Sequence, residues 1–293
     1  MISQTESLRA FVGPRAAEPW RASEDRVIVI AGARGGSGAS LVAAGVSLSA
    51  AGAGRRTLLV DGNEEIGALH HLLGVTPPVG LGALRGGGRD PRAALSNVMG
   101  PLDLLAGGPG TNGAERGSAP PFAPGERRAV FRRVAQLYRD YDIVVIDAGA
   151  SLDGVIAAGT AGLRRCLAVT GAEPAAVASA YAMLKAIDSA WPGAPVDLVV
   201  NRHDDVRART VFDQVQHAAG RFLARTVNFG GAIPFDEALH AALIAGHPLA
   251  QAAAHTGATS AAHALDALAS RLIIELEHGE RRSMAPLRLS RRP

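Results

Sequence analysis

The sequence has little cysteine, little lysine and no long apolar run. Cys166 is the one cysteine among 293 residues, so an internal disulfide is excluded and the reducing cytosol is the expected compartment. No stretch of about 18 consecutive apolar residues occurs, which argues against a membrane-spanning helix. The N-terminus lacks the basic-then-apolar order of a secretory signal. Lys185 is the only lysine, because arginine has replaced lysine almost everywhere.

Short apolar runs alternate with helical stretches along most of the chain. The runs are continuous and rich in β-branched residues, which is typical of strands buried on both faces of a parallel sheet. They cover residues 27–30, 57–60, 142–147, 166–169 and 196–200. Helices are predicted over residues 41–51, 124–139, 174–190, 206–218, 235–246 and 260–280. The alternation predicts an α/β fold with a doubly wound, mostly parallel sheet flanked by helices.

Composition divides the chain into three parts. Residues 1–25 combine a short helix signal with a linker, residues 26–258 carry the alternating pattern, and residues 259–293 form a final helix and a basic tail. The glycine- and proline-rich stretch 74–124 is expected to carry mobile loops. We expect a solvated tail, with a weak contact to anionic membrane as the alternative and no direct contact with nucleic acid. The expected location is the cytoplasm or the inner face of the cell membrane.

A glycine-rich loop follows the first apolar run. Residues 33–40 read Ala-Arg-Gly-Gly-Ser-Gly-Ala-Ser. In a phosphate-binding loop, G-x-x-x-x-G-K-[ST], backbone N–H groups hold phosphates, the lysine reaches the β- and γ-phosphates, and the hydroxyl binds Mg²⁺. Gly38 and Ser40 occupy the last-glycine and hydroxyl positions, but Ala39 replaces the lysine. The loop therefore predicts a nucleotide-binding fold and casts doubt on the usual chemistry of that fold.

Two acidic residues follow later apolar runs, at the strand ends where ligands bind in such folds. Asp61 ends the second run, and Asp147 ends the third as in a Walker B strand, where the aspartate positions Mg²⁺ through water. A dinucleotide site is the alternative, with Asp61 as its acidic residue. That site needs a third glycine at position 41, which is Leu41. The order of the loop and Asp147 therefore favours a nucleoside triphosphate.

With these motifs, the chain resembles the MinD/ParA group of deviant-Walker P-loop ATPases, and within it the flagellar-number regulators of the FlhG/FleN/YlxH type. The group's loop, G-K-G-G-x-G-K-[ST], is matched in degenerate form by residues 33–40. Further segments similar to FlhG sequences are residues 169–174, 180–185, 199–202, 230–237 and 247–249. The resemblance covers nearly the whole chain and implies a MinD-like P-loop NTPase fold.

The resemblance also implies roles for residues around the loop. ATP or ADP would be held by Arg34, Gly35, Gly36, Ser37, Gly38, Ala39 and Ser40, with Asn201, Arg202 and Pro234 near the base. Mg²⁺ would be held by Ser40, Asp61 and Asp147. In the family, the first loop lysine reaches the partner's phosphates across a dimer. Arg34 keeps that charge, although its planar guanidinium is not equivalent to an ammonium group.

Two positions implicated in hydrolysis depart from the family pattern. Losing the charge-assisted hydrogen bond of the lysine at Ala39 costs about 1.5–3 kcal/mol, or roughly ten- to a hundredfold in affinity. Asn63 replaces the aspartate that orients the attacking water, and an amide cannot take a proton as a carboxylate can. The degenerate catalytic pair is therefore Asn63 and Asp147. We expect weak or absent ATP hydrolysis, and nucleotide and Mg²⁺ binding that is weakened or lost.

The N-terminus resembles the FlhG helix D-Q-A-x-x-L-R, which stimulates the GTPase FlhF. Gln4, Leu8 and Arg9 keep the spacing of that helix. The resemblance implies that these residues contact an FlhF-like GTPase of the signal-recognition-particle type. It also implies flagellar C-ring components or a flagellar transcription regulator as further partners, and a homodimer.

Three functional hypotheses follow. The first is an FlhG-like regulator of flagellar number and placement that hydrolyses ATP poorly or not at all and acts by protein contacts. The second is an active ATPase that dimerises with ATP, in which Arg34 compensates for Ala39. The third is a MinD-like localisation protein for pilus or cellulose secretion.

Overall fold

The computed structural model describes residues 26–64, 67–108, 121–159, 165–256 and 259–283. Gln4, Leu8 and Arg9 lie outside these ranges, as does the tail from residue 284 onwards, so the contacts predicted for them stay predictions. Among the described helices, none is long and apolar enough to cross a membrane.

In the described part of the chain, eight strands form one sheet in the order β3-β4-β2-β5-β1-β6-β7-β8. The strands are β1 (Val27–Gly32), β2 (Thr57–Asp61), β3 (Leu95–Met99), β4 (Leu102–Leu105), β5 (Ile143–Asp147), β6 (Arg165–Thr170), β7 (Val196–Asn201) and β8 (Asn228–Ile233). Only β3 and β4 pair antiparallel; the other neighbours are parallel. The winding direction reverses beside β1, which makes the sheet doubly wound.

Helices cover both faces of this sheet. They are α1 (Ala39–Gly52), α2 (Leu69–Leu73), α3 (Pro124–Val134), α4 (Leu152–Gly159), α5 (Pro174–Ala190), α6 (Asp205–Leu223), α7 (Glu237–Ile244), α8 (Leu249–Thr256) and α9 (Ser260–Ser283). Short 3₁₀ segments lie at Leu81–Gly87, Pro91–Ala94 and Ala135–Asp140. Helices α3 to α6 pack on one face, and α1, α2 and α7 to α9 pack on the other.

The apolar runs form strands because both of their faces are buried. In β1, Val27 and Val29 contribute to the core beneath α3 to α6, whereas Ile28 and Ile30 contribute to the core beneath α1 and α9. Successive side chains of a strand point to opposite faces, so a continuous apolar run serves both layers. The predicted fold class is confirmed.

Three strands were not predicted. The stretch 74–124, expected to carry mobile loops, contains β3, β4 and two 3₁₀ segments in its described part. β3 is a half-exposed edge strand and β4 has only four residues, so neither gives a strong apolar run. β8 contains Gly230 and Gly231, which weaken the strand signal. The helix predicted over 124–139 ends at Val134 and continues as a 3₁₀ segment.

The final helix, α9, is part of the main core. Leu265, Leu268, Leu272 and Leu276 form its buried apolar stripe, and the helix packs on α1. A partly buried ion network also ties α9 to the sheet. Arg165 donates to Asp197 (2.6 Å) and pairs with Glu275 of α9 (2.7 Å).

Candidate nucleotide site

The glycine loop and three polar residues meet at one edge of the sheet. Asp61 of β2 and Asp147 of β5 are direct neighbours in the strand register, and β5 lies next to β1, from which the loop continues. Asn201 ends β7, two strands away on the other side of β1. These are carboxyl ends of parallel strands beside the reversal point, where α/β sheets bind ligands.

The base of the loop is fixed by backbone hydrogen bonds to the neighbouring strands. The N–H of Gly32 donates to the carbonyl of Gly149 (2.8 Å), and the N–H of Ala33 donates to the carbonyl of Val169 (2.8 Å). The loop is therefore held from both sides, because β5 and β6 flank β1.

The loop itself presents backbone to solvent. Gly35 and Gly36 are exposed, and Gly36 and Gly38 have φ values of +78° and +89°, which glycine adopts without strain. Gly38 is the N-cap of α1 and provides no side-chain cap. Because the first N–H groups of a helix have no partner within it, this loop and helix start can accept an anion such as phosphate.

Asn201, at the end of β7, is hydrogen-bonded to the glycine loop. Its Nδ2 donates to the carbonyl of Ser37 (2.9 Å), and its Oδ1 accepts from the N–H of Arg202 (3.0 Å). A Cβ on Gly38 would collide with that Nδ2. Asn201 and Gly38 therefore constrain each other, which the sequence did not reveal. Contact of Asn201 with the base of a nucleotide stays a prediction.

The other two residues predicted near the base lie around the ends of β7 and β8. Arg202 is exposed and has a φ of +66°, which is uncommon for a residue with a side chain. Pro234 follows β8 directly, and the carbonyl of the preceding Ile233 accepts from the N–H of His203 (3.2 Å). The structure places them on the β7 side of the loop, and their contact with a nucleotide stays a prediction.

The position of the missing lysine is apolar and covered. Ala39 is 6% exposed, and its methyl group belongs to the core between α1 and the sheet. The next residue, Ser40, donates its hydroxyl to the carboxylate of Asp147, which also accepts from the N–H of Gly149 (3.0 Å). The structure thus joins two of the residues predicted to hold Mg²⁺, while position 39 beside them carries no charge. Their role in holding Mg²⁺ stays a prediction.

Asp61 and Asp147 form a buried carboxylate pair. Burial, and then the charge of Asp147, raise the pKa of Asp61 to about 6. Backbone N–H groups of Asn63 (3.0 Å) and Leu69 (3.1 Å) donate to Asp61 and act in the opposite direction. Burial also raises the pKa of Asp147, against its bonds from Ser40 and Gly149. Two neighbouring acids out of water favour a cation.

In the described part of the loop after β2, Asn63 stands in place of the lost aspartate, and the one carboxylate, Glu64, is already paired. Asn63 is exposed, and its carbonyl accepts from the N–H of Gly108 (2.9 Å). The next residue, Glu64, is buried, where it accepts from the N–H of Phe122 (3.0 Å) and pairs with Arg127. Glu64 thus ties the loop after β2 to α3. Nothing in its sequence context distinguishes it from a surface acid.

Arg34 points toward an acid of its own chain. Its guanidinium lies 3.9 Å from the carboxylate of Glu173, and both side chains are about half exposed. Glu173 is the N-cap residue of α5. An exposed pair at this distance contributes little to stability, so Arg34 stays able to move toward a ligand.

These residues meet some, but not all, of the requirements for binding a nucleotide with Mg²⁺. The glycine backbone and the uncapped start of α1 suit phosphate oxygens, and the paired acids with the Ser40 hydroxyl are hard oxygen donors that suit Mg²⁺. Position 39 does not fit, because Ala39 leaves the β/γ-phosphates without their lysine. The arrangement can hold a phosphate and a cation but lacks a group that such sites use for phosphoryl transfer.

Comparison with known proteins agrees with this geometry. The family profile described as cellulose biosynthesis protein BcsQ matches residues 26–273. The antiactivator FleN of Pseudomonas aeruginosa is 24% identical over 219 residues, which cover 74% of this chain and 76% of FleN.

Solved structures share the fold. The cell division ATPase MinD of Pyrococcus furiosus is 24% identical, with a TM-score of 0.67, over 86% of this chain and 98% of its own. MinD of Pyrococcus horikoshii, solved in complex with Mg-ADP, is 21% identical with a TM-score of 0.67, over 84% of this chain and 95% of its own. The predicted MinD/ParA-type architecture is confirmed, and nucleotide with Mg²⁺ is a ligand within this group. The chain belongs to the cellulose biosynthesis protein BcsQ family, a MinD/ParA-type family of P-loop proteins.

Proposed function

We propose that this chain is a MinD-family regulator that binds nucleotide weakly, hydrolyses it poorly or not at all, and acts through protein contacts. One observation carries the proposal. The glycine loop, the Ser40–Asp147 contact and the carboxylate pair are formed around Ala39, a buried methyl group that brings no charge.

The residues at the site explain why nucleotide binding is kept while hydrolysis is reduced or lost. A bound nucleotide would supply the phosphate groups, and Mg²⁺ would supply positive charge beside them. Ser40 and Asp147 would hold the ion, and the loop N–H groups would orient the phosphates. Asn63 offers an amide where the family uses a carboxylate, and an amide at that position does not take a proton from water. Without Lys at position 39, developing charge on the phosphates is less stabilised.

Flagellar number control is the first candidate process. The similarity to the antiactivator FleN supports it, together with Gln4, Leu8 and Arg9 at the N-terminus. In this proposal the three residues contact an FlhF-like GTPase, and C-ring components or a flagellar transcription regulator are further partners.

A groove between α5 and α6 supports action through protein contacts. It has a volume of about 520 Å³ and an apolar lining that includes Tyr181 and Ala218. Phe222 stands 66% exposed against Tyr181 at its lower end. The cations Lys185 and Arg207 are on the same helix faces and exposed. We propose that a partner segment contacts this groove through apolar side chains.

Mixing with an FlhF-like GTPase tests the flagellar candidate. The full chain is expected to raise the rate of GTP hydrolysis by the partner, and Leu8→Asp is expected to abolish this stimulation. Ser7→Asp, which adds the same charge beside the motif, serves as the control. An equal loss in both variants, or no stimulation by the unsubstituted chain, would overturn the assignment.

Cellulose secretion is the second candidate process, and the family description favours it. Deletion of the gene separates the two candidates. Altered flagellar number with normal cellulose output supports the first, and lost or mislocalised cellulose output with normal flagella supports the second.

Two further parts of the proposal concern assembly. If Arg34 compensates for Ala39, ATP is expected to drive the formation of homodimers, and Arg34→Ala is expected to abolish turnover. A molecular mass by light scattering that ATP leaves unchanged would remove this alternative.

The arginine-rich tail beyond residue 283 is proposed to contact anionic lipid weakly. Equal co-sedimentation with neutral and anionic vesicles would contradict that contact.

A further inference from the structure

An apolar groove lies on the α1 face of the molecule, on the other side of the sheet from α5 and α6. It has a volume of about 440 Å³ and runs along the outer surface of α1, between α8 and α9. Half of its lining residues are small: Gly45, Ser49, Gly52, Ala250, Ala253 and Ala262. Leu48 and Met99 add larger apolar surface, and the Met99 residue is 47% exposed. Small linings of this kind accept bulky side chains from a docked segment.

The groove opens toward the lower edge of the sheet, where the strands begin. Helices α1 and α9 run in the same direction, because Leu265 lies against Gly45 and Glu277 pairs with Arg55. Gly52 therefore marks the lower end of the groove. Met99 is also at this edge, since it pairs with Leu102 at the start of β4.

The N-terminal segment enters the fold at the same edge. The carbonyl of Arg26, directly before β1, accepts from Val144 at the start of β5 (2.8 Å). Four strand spacings separate β1 from β3 in the sheet, which is about 19 Å. Residues 13–25 alone can span up to about 43 Å, so a segment before residue 13 reaches the groove easily.

The chemistry of that segment suits the groove. Leu8, Phe11 and Val12 have the i, i+3, i+4 spacing of one helix face. Arg9 stands beside them, and the groove has an exposed acid, Asp266, on its rim. We propose that residues 2–12 dock in cis into the groove between α1, α8 and α9, with Leu8, Phe11 and Val12 inside it and Arg9 near Asp266.

The C-terminal tail is a poorer occupant of an apolar groove. From residue 284 onwards its larger apolar side chains, Met284, Leu287 and Leu289, are interrupted by Arg288 and followed by Arg291 and Arg292.

Docking in cis makes the N-terminal segment a switch. Leu8 and Arg9 cannot contact the groove and a GTPase at once, so a partner must displace the segment from α1. This consequence rests on the proposed function, whereas the docking does not. If docking is measured and the GTPase does not respond, the proposed function fails and the docking stands.

Thiol labelling of the full chain tests the docking. Met99→Cys places a thiol in the groove, and the native Cys166 is buried and does not compete. We expect this thiol to react about tenfold more slowly with iodoacetamide than in the same chain carrying Leu8→Asp and Phe11→Asp, which corresponds to a docked population of about 90%. The pair Ser3→Asp and Ala10→Asp adds equal charge on the opposite helix face and is expected to leave the slow rate unchanged.

Two further measurements identify the occupant. A synthetic peptide of residues 1–25 is expected to slow labelling again when added to the Leu8→Asp, Phe11→Asp chain. Equal labelling rates with and without those two substitutions would overturn the proposal. A slow rate that survives them and grows with protein concentration would also overturn it, because a second copy would then cover the groove.

Discussion

At the scale of single residues, the chain departs from the motifs of the MinD/ParA group at Ala39, where the group has lysine, and at Asn63, where it has aspartate. Ala39 is buried and ends at a methyl group, which is too short to reach a phosphate at the loop and carries no charge. Arg34, the cation of the same loop, lies near Glu173. The loop therefore keeps its backbone donors without the lysine that the phosphate-binding pattern places beside them.

Restoring that lysine is expected to strengthen nucleotide binding. Ala39→Lys adds one charge-assisted hydrogen bond to the phosphates, so the Kd for ATP with Mg²⁺ should fall roughly ten- to a hundredfold in a calorimetric titration. Ala39→Met is the control, because it fills similar volume without charge. A similar gain in both variants would assign the effect to packing and contradict this account.

The carboxylate pair makes a second residue-scale prediction. Asp147→Asn removes the neighbouring charge, so the pKa of Asp61 should fall from about 6 toward 3.8 but stay above it, because burial is the larger cause. A ¹³C-detected titration of the Asp61 carboxyl without metal measures this. Asp213→Asn, a change in a remote exposed acid, should leave the value at about 6. An unchanged pKa in Asp147→Asn would contradict the pairing.

The raised pKa also gives the sign of a pH effect on stability. Neutral Asp61 stabilises the folded chain below pH 4, and this contribution is lost as the pH rises through about 6. Because Mg²⁺ offsets the repulsion between ionised acids, it is expected to raise the free energy of unfolding more at pH 7.5 than at pH 5.

At the scale of elements, the loop depends on the contact between the start of α1 and the end of β7. Gly38→Ala introduces strain at a φ of +89° and a collision with Asn201, so it should lower the free energy of unfolding by about 1–3 kcal/mol. Removing the collision with Asn201→Ala in the same chain should recover part of this cost. Urea unfolding of the single and double variants gives their coupling, expected at about 0.5–3 kcal/mol.

The control for this cycle lies three residues earlier in the loop. A Cβ on Gly35 would meet nothing within 4 Å, so Gly35→Ala should change stability by less than about 0.5 kcal/mol. Equal costs at Gly35 and Gly38, or strictly additive effects of Gly38→Ala and Asn201→Ala, would show that the contact does not hold the loop.

The sequence predicted the elements that bury apolar side chains on both faces. The five predicted strands are present, since runs such as 27–30 and 142–147 have one stable environment, the centre of a sheet. β3 and β8 were missed because an edge strand and a glycine-containing strand depend on their neighbours rather than on their own composition.

Prediction of the site from sequence was likewise limited to features that spacing along the chain determines. Spacing along the chain was enough to place the loop, Asp61 and Asp147 at strand ends, because parallel strands share one carboxyl edge. The contact of Asn201 with Ser37 and the pairing of Glu64 with Arg127 join residues 164 and 63 positions apart. No local pattern encodes contacts of that range, so only the folded chain reveals them.

At the scale of the whole molecule, one helix connects the surfaces described above. Helix α1 begins at the phosphate loop, packs on α9, and forms the floor of the groove at Gly45 and Gly52. A ligand at the loop and a segment in the groove therefore both contact the same helix. This arrangement suits a protein whose output is the exposure of a binding segment, for which nucleotide binding matters more than turnover.

Steady-state release of phosphate from ATP with Mg²⁺ tests the central claim most directly. The full chain is expected to release phosphate no faster than its Asp147→Ala variant, because Ala39 and Asn63 have already removed groups that the family uses for hydrolysis. Turnover comparable to that of a lysine-bearing relative, and abolished by Asp147→Ala, would contradict the account.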